Sequence, residues 1–206
     1  DIYTIVGRND DISPPEVDFW DQYDHAVALV ADGRPGEALA PLSALCGLRP
    51  EDALLQTAAG RARKRYADSL SATFAAAPDI DTLAAEVRSA VATLFGAAEV
   101  GVLEPGIEGV WRFRDAGGLA TRAVVMAPSG EAMIWLRGLD AAASVTEAPE
   151  TVRALGFTHV APFQKNNELA GALFLSQEDE VDLEAFTTLA DALADPWTRT
   201  SAEEMR

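Results

Sequence analysis

Residues 157–176, FTHVAPFQKNNELAGALFLS, place two apolar-rich runs on either side of Lys165-Asn166-Asn167. Asparagine tolerates the left-handed backbone of a tight turn, so the stretch predicts an antiparallel β-hairpin. Upstream lie strand candidates at 99–103, 110–114 and 119–126, separated by turn signals at Pro105-Gly106 and Gly117-Gly118. The second alternates Trp111 and Phe113 with Arg112 and Arg114. After Pro78 an amphipathic helix carries Leu83, Val87, Ala90, Val91 and Leu94 and closes on Gly96. A last helix carries Leu183, Phe186, Ala190, Leu193 and Trp197. Residues 128–156 are less periodic and hold Met133, Ile134, Trp135 and Leu136. Helix, antiparallel sheet and closing helix make an α+β architecture of packed layers.

Before this region the pattern is helical. Phe19, Tyr23, Ala26, Val27 and Val30 share one helix face, residues 32–36 break the helix, and Ala38, Leu39, Leu42, Leu45 and Cys46 repeat the spacing until Gly47 and Pro50. The expected result is an antiparallel helical hairpin. A further helix from residue 51 to about 74 carries Leu55, Ala58, Ala62, Tyr66, Leu70 and Phe74, interrupted only by Gly60. Its Arg61, Arg63, Lys64 and Arg65 read as a salt-bridged surface, since Lys64 points away from the face that Arg61 and Arg65 share. Residues 1–13 begin with a strand-like alternation of Ile2, Thr4 and Val6 with Tyr3 and Ile5.

Composition narrows the function classes. The chain has 206 residues, 49% hydrophobic, with 33 acidic against 16 basic residues and a formal net charge of -17. Such a field repels phosphate backbones and anionic lipid, so neither nucleic acid nor membrane is an expected partner. The carboxylates crowd at the two ends, in Asp10, Asp11, Glu16, Asp18, Asp21 and Asp24 and again in Glu178, Asp179, Glu180, Asp182 and Glu184, and read as solvated surface. A single cysteine, Cys46, closes no internal disulfide, and no Cys/His spacing suggests zinc. With no signal-peptide pattern, this fits a reducing cytoplasm. No nucleophile elbow, phosphate-binding glycine loop or His-Glu-x-x-His pair occurs, so no catalytic residue is named, and no cofactor.

Pro162 in the first hairpin strand, the asparagine turn, and Glu168-Leu169-Ala170-Gly171 opening a strand that closes on Leu173-Phe174-Leu175 resemble the last strands of a GAF domain. The resemblance covers roughly residues 66–197. It implies a central antiparallel sheet with a small-molecule pocket between one sheet face and the middle loops, here residues 127–156. Ligand-binding candidates are then Trp111, Phe113, Trp135, Phe157 and His159, each of which also reads as ordinary core. His159 alternates with Phe157 and Ala161 and is open to two readings, a ligand or pH contact and a satisfied, half-buried side chain. The Asn-Lys-Phe-Asp-Glu motif of cyclic-nucleotide-binding GAF domains is absent, and Cys46 lies outside the module.

Gly33, Ala38, Leu42, Leu45 and Pro50 resemble one tetratricopeptide unit, a repeat of about 34 residues. Ile2-Tyr3-Thr4-Ile5-Val6-Gly7 and EALAPLSALCGLRPED resemble the exit and following helical pair of a class III nucleotide cyclase. The chain opens on Asp1 rather than Met, and we expect a piece of a longer polypeptide with its catalytic domain upstream. The expected organisation is a strand-like exit at 1–13, a helical pair and linking helix at 14–65, a GAF-like sensor domain at 66–198 and a tail at 199–206. The expected function is that of a non-catalytic regulatory region, sensing a small molecule or partner and forming a homodimer. The alternative is an interaction and dimerisation adaptor with a ligand-free GAF fold.

Overall fold

The structure is a computed structural model and describes residues 14–96, 99–106, 110–115, 121–124, 126–127, 129–177 and 181–204. The expected strand within 1–13, the Gly117-Gly118 turn and the acidic Glu178, Asp179 and Glu180 lie outside the described residues. The chain divides into two compact units, Asp1–Arg63 and Lys64–Arg206. No helix of the described residues is long and apolar enough to cross a membrane.

In the first unit, α1 (Pro14–Ala31) and α2 (Pro35–Leu48) form the expected hairpin, joined by a turn in which Gly33 takes a φ of 78°. Pro35 opens α2 rather than belonging to the break, at a position where its missing N–H leaves no helical bond unmade. Phe19, Leu45 and Leu55, the last from the start of α3 (Ala53–Ala76), form a buried cluster against which Trp20, Tyr23 and Cys46 pack. The Arg49 guanidinium sits 4.0 Å from the Phe19 ring centre, a cation–π contact, and 3.4 Å from the Glu16 carboxylate. Val27, expected on the packed face, is 40% exposed. Successive helical residues rotate by about 100°, which carries Val27 away from the buried Ala26.

The helix α3 runs unbroken across the division between the units. Its buried face is Leu55, Ala59, Ala62, Ala67, Leu70 and Phe74; Ala58 and Tyr66, expected there, are only half-buried.

The second unit is α+β. The helix α4 (Ile80–Phe95) is capped by Asp79, whose carboxylate accepts the Thr82 N–H at 2.7 Å, and ends at Gly96 with a φ of 80°. Strands β1 (Glu99–Pro105), β2 (Trp111–Asp115) and β3 (Thr121–Val124) form a meander. Then come α5 (Glu131–Arg137), the two-residue β4 (Ala143–Ser144) and α6 (Glu150–Arg153), in the region whose sequence showed little periodicity. The hairpin β5 (His159–Lys165) and β6 (Glu168–Ser176) follows, then α7 (Leu183–Glu204), which continues through most of the segment expected to be a tail. The strands make one antiparallel six-stranded sheet in the order β3-β2-β1-β6-β5-β4.

The hairpin that decides the fold closes through Asn166 and Asn167, with φ of 54° and 64°, the primed turn whose twist matches the strands it joins. Its register shifts between Phe163 and Gln164, so that Ala170 is the extra residue of a β-bulge. Pro162 is tolerated because β4 reaches only His159 and Val160, and past Val160 this edge of β5 has no ladder partner among the described residues. Helices α4 and α7 cover one sheet face, and α5 and α6 the other.

Candidate functional site

The sheet face beneath α5 and α6 collects the aromatics singled out in the sequence. Trp111 and Phe113 project from β2 into a buried cluster with Leu103, Met133, Leu136, Val152, Val160 and Phe174, and Trp135 and Phe157 pack against its margin. The Phe113 ring centre lies 5.2 Å from Phe157 and 5.6 Å from Phe174, and Phe157 is 5.8 Å from Phe174. Such close tilted and edge contacts are those of packed core aromatics. Gly101 makes room for them, since a Cβ there would sit 2.2 Å from Cζ of Phe113 and 3.1 Å from Cζ of Phe157. The structure thus brings four of the five candidates to one cluster, in which the Phe113 and Phe157 rings pack against each other and against Phe174.

His159 belongs to the opposite face. It pairs with Leu175 while its neighbour Val160 pairs with Phe174, and Val160 and Phe174 both belong to the aromatic cluster. Alternation therefore turns His159 away from Phe113 and Trp111. Phe157 escapes the expected alternation because β5 begins only at His159. The His159 Nδ1 lies 2.9 Å from the Thr158 hydroxyl, and burial holds the imidazole below the ordinary histidine range. The other histidine, His25, is exposed on α1. Cys46 is half-buried, and burial raises its thiol pKa, against a lowering from Arg63 and with a further rise from Asp52. A thiol so placed is a poor nucleophile.

Two features escaped the sequence reading. The first is a cleft of about 480 Å³ beside α5 and the hairpin turn, lined by Arg137, Gln164, Asn167, Glu168 and Leu169. Four of these residues fall within 164–169, where they read only as turn and strand surface, and Arg137 joins them from α5. The second is a fully buried carboxylate, Glu104, on the α7 side of the sheet. Its Oε1 lies 3.3 Å from Arg114 Nη2 and 3.2 Å from Arg112 Nη2. Its Oε2 accepts the Trp197 indole N–H at 2.6 Å and the Ser201 hydroxyl at 2.8 Å. Desolvating a carboxylate costs roughly several kcal/mol, and it persists at this depth because donors surround it. A signal existed: Val100, Val102 and Glu104 share a strand face, and Arg112 and Arg114 alternate with buried aromatics, so the arginines needed an acidic partner under the same helix.

Lys64, from the basic run on α3, pairs with Glu184 on α7 at an exposed position, in keeping with a salt-bridged surface. Among the described residues no group of three His, Cys, Asp or Glu side chains is placed to hold a metal ion. No protein-family model matches the chain, and no curated protein matches it either.

Proposed function

We propose that this chain is a non-catalytic regulatory region of a signalling protein, in which a GAF-like domain serves as a protein-interaction and dimerisation adaptor. The observation that carries the adaptor form is the sheet face itself: Phe113, Phe157 and Phe174 touch one another where a sensor of this family would hold its ligand. The GAF-like reading draws support from the layering, with a central antiparallel sheet, a middle segment over one face and a hairpin leading to a closing helix. The cyclase context rests on residues 1–13 and the helical pair, and this chain alone is expected to turn over neither ATP nor GTP with a divalent metal.

Sedimentation across a range of concentrations tests the adaptor, which should dimerise; a monomer at every concentration removes that role. A second reading, a small-molecule sensor, is favoured by the cleft at Arg137, Gln164 and Glu168. Thermal shift and tryptophan emission with nucleotides and small metabolites separate the two. A bound ligand at about 100 times its Kd adds roughly 2.7 kcal/mol and would move the assignment to the sensor.

A further inference from the structure

The helix α7 docks by apolar burial before Pro196 and by apolar burial together with hydrogen bonds to a buried carboxylate after it. Before it, Phe186, Leu189, Ala190 and Leu193 are buried apolar side chains, and Phe186 meets Phe95 of α4 edge-on at 5.8 Å. After it, polar contacts join the burial of the Trp197 ring. Trp197 and Ser201 donate to Oε2 of Glu104, and Arg199 Nη2 lies 3.0 Å from the carbonyl oxygens of both Ala75 and Ala77 at the end of α3. Pro196 itself has no N–H, so the Ala192 carbonyl lacks its intrahelical donor at the junction. The Thr198 hydroxyl bonds back to Ala194 O at 2.6 Å and the Thr200 hydroxyl to Pro196 O at 3.0 Å, contacts that bend helices.

We propose that residues 197–204 form a strap, hinged at Pro196, that docks and undocks as a unit on the buried Glu104 carboxylate. Apolar burial falls off gradually as surfaces part, but a buried carboxylate must keep its donors or be rehydrated. Half-docked arrangements, in which Glu104 has lost the indole and hydroxyl yet remains dry, are therefore disfavoured, and the strap has two states. Undocking exposes Trp197 and the arginine-flanked carboxylate and frees the end of α3 from Arg199. The strap stands whether or not the aromatic face takes a ligand.

Native-state hydrogen exchange on the full chain, read at backbone amides and at the Trp197 indole N–H, tests it. In the unaltered protein, amides after residue 197 should exchange through a local opening, faster than those of residues 189–193. Glu104→Gln leaves a single acceptor oxygen, which the Arg112 and Arg114 cations draw toward themselves, so an amide NH2 faces the Trp197 and Ser201 donors; the change should speed exchange after Pro196 by about tenfold or more while leaving residues 189–193 unchanged. If that variant does not fold, Ser201→Ala, which leaves the carboxylate with its other donors, should show the same pattern at smaller amplitude. Pro196→Ala restores the missing bond and should slow exchange after residue 196. Equal acceleration on both sides of Pro196, no acceleration after it, or exchange indifferent to Pro196→Ala each overturns the proposal.

Discussion

At Gly171 a Cβ would lie 2.2 Å from Cζ of Phe163 and 2.8 Å from the carbonyl oxygen of Leu103. A ring can swing aside, but a strand backbone cannot yield without loosening the β1–β6 ladder. Gly171→Ala should therefore lower stability by about 1–3 kcal/mol, seen as a reduced urea midpoint at unchanged slope. Gly47 makes the opposite case. Nothing lies within 4 Å of its built Cβ inside α2, so Gly47→Ala should raise stability by about 0.5–1 kcal/mol. His159 adds a pH dependence whose sign follows from its burial. Its folded pKa is depressed, so as pH falls through about 6.5 the unfolded chain binds the proton first and stability declines until the folded imidazole also titrates. In His159→Gln, denaturant midpoints measured across that window should lose this slope.

Among the elements, the β5–β6 hairpin was the most legible, because Asn166-Asn167 is a local signal that tertiary packing did not need to override. The turn predicts its own test. Asn166→Val forces a β-branched residue to the left-handed backbone and should cost about 1–2 kcal/mol, whereas Asn167→Gly should raise the melting temperature. The helices α1, α2, α3 and α4 were legible from periodicity and caps, with Val27 and Tyr66 misplaced because a five-residue pattern fixes a helix face only to within a neighbour. The short α5 and α6 were not legible. Each is too brief to repeat a 3.6-residue period, and they form because Met133, Leu136 and Val152 are covered by the sheet. Of the candidate site, the four aromatics that the structure brings together were found. Whether they are core or pocket wall stayed open, because a buried ring and a pocket wall leave the same trace in sequence.

Over the whole molecule the dominant physical fact is the net charge of -17. Self-repulsion on this scale opposes compaction and is screened by salt, so the melting temperature should rise as ionic strength shortens the Debye length from about 30 Å to about 8 Å. A melting temperature that falls with sodium chloride would instead mean that exposed pairs such as Lys64–Glu184 and Lys165–Asp195 outweigh the repulsion. The same charge acts between molecules, where it keeps copies apart at long range. At contact distance a different guard is needed, and the outer edge of β5 carries it. An unpaired strand edge is a template on which another chain can add a strand, but Pro162 offers no N–H there and Lys165 follows within a few residues. The proline that helps to mark the hairpin in sequence thus also keeps this sheet from growing outward into an aggregate.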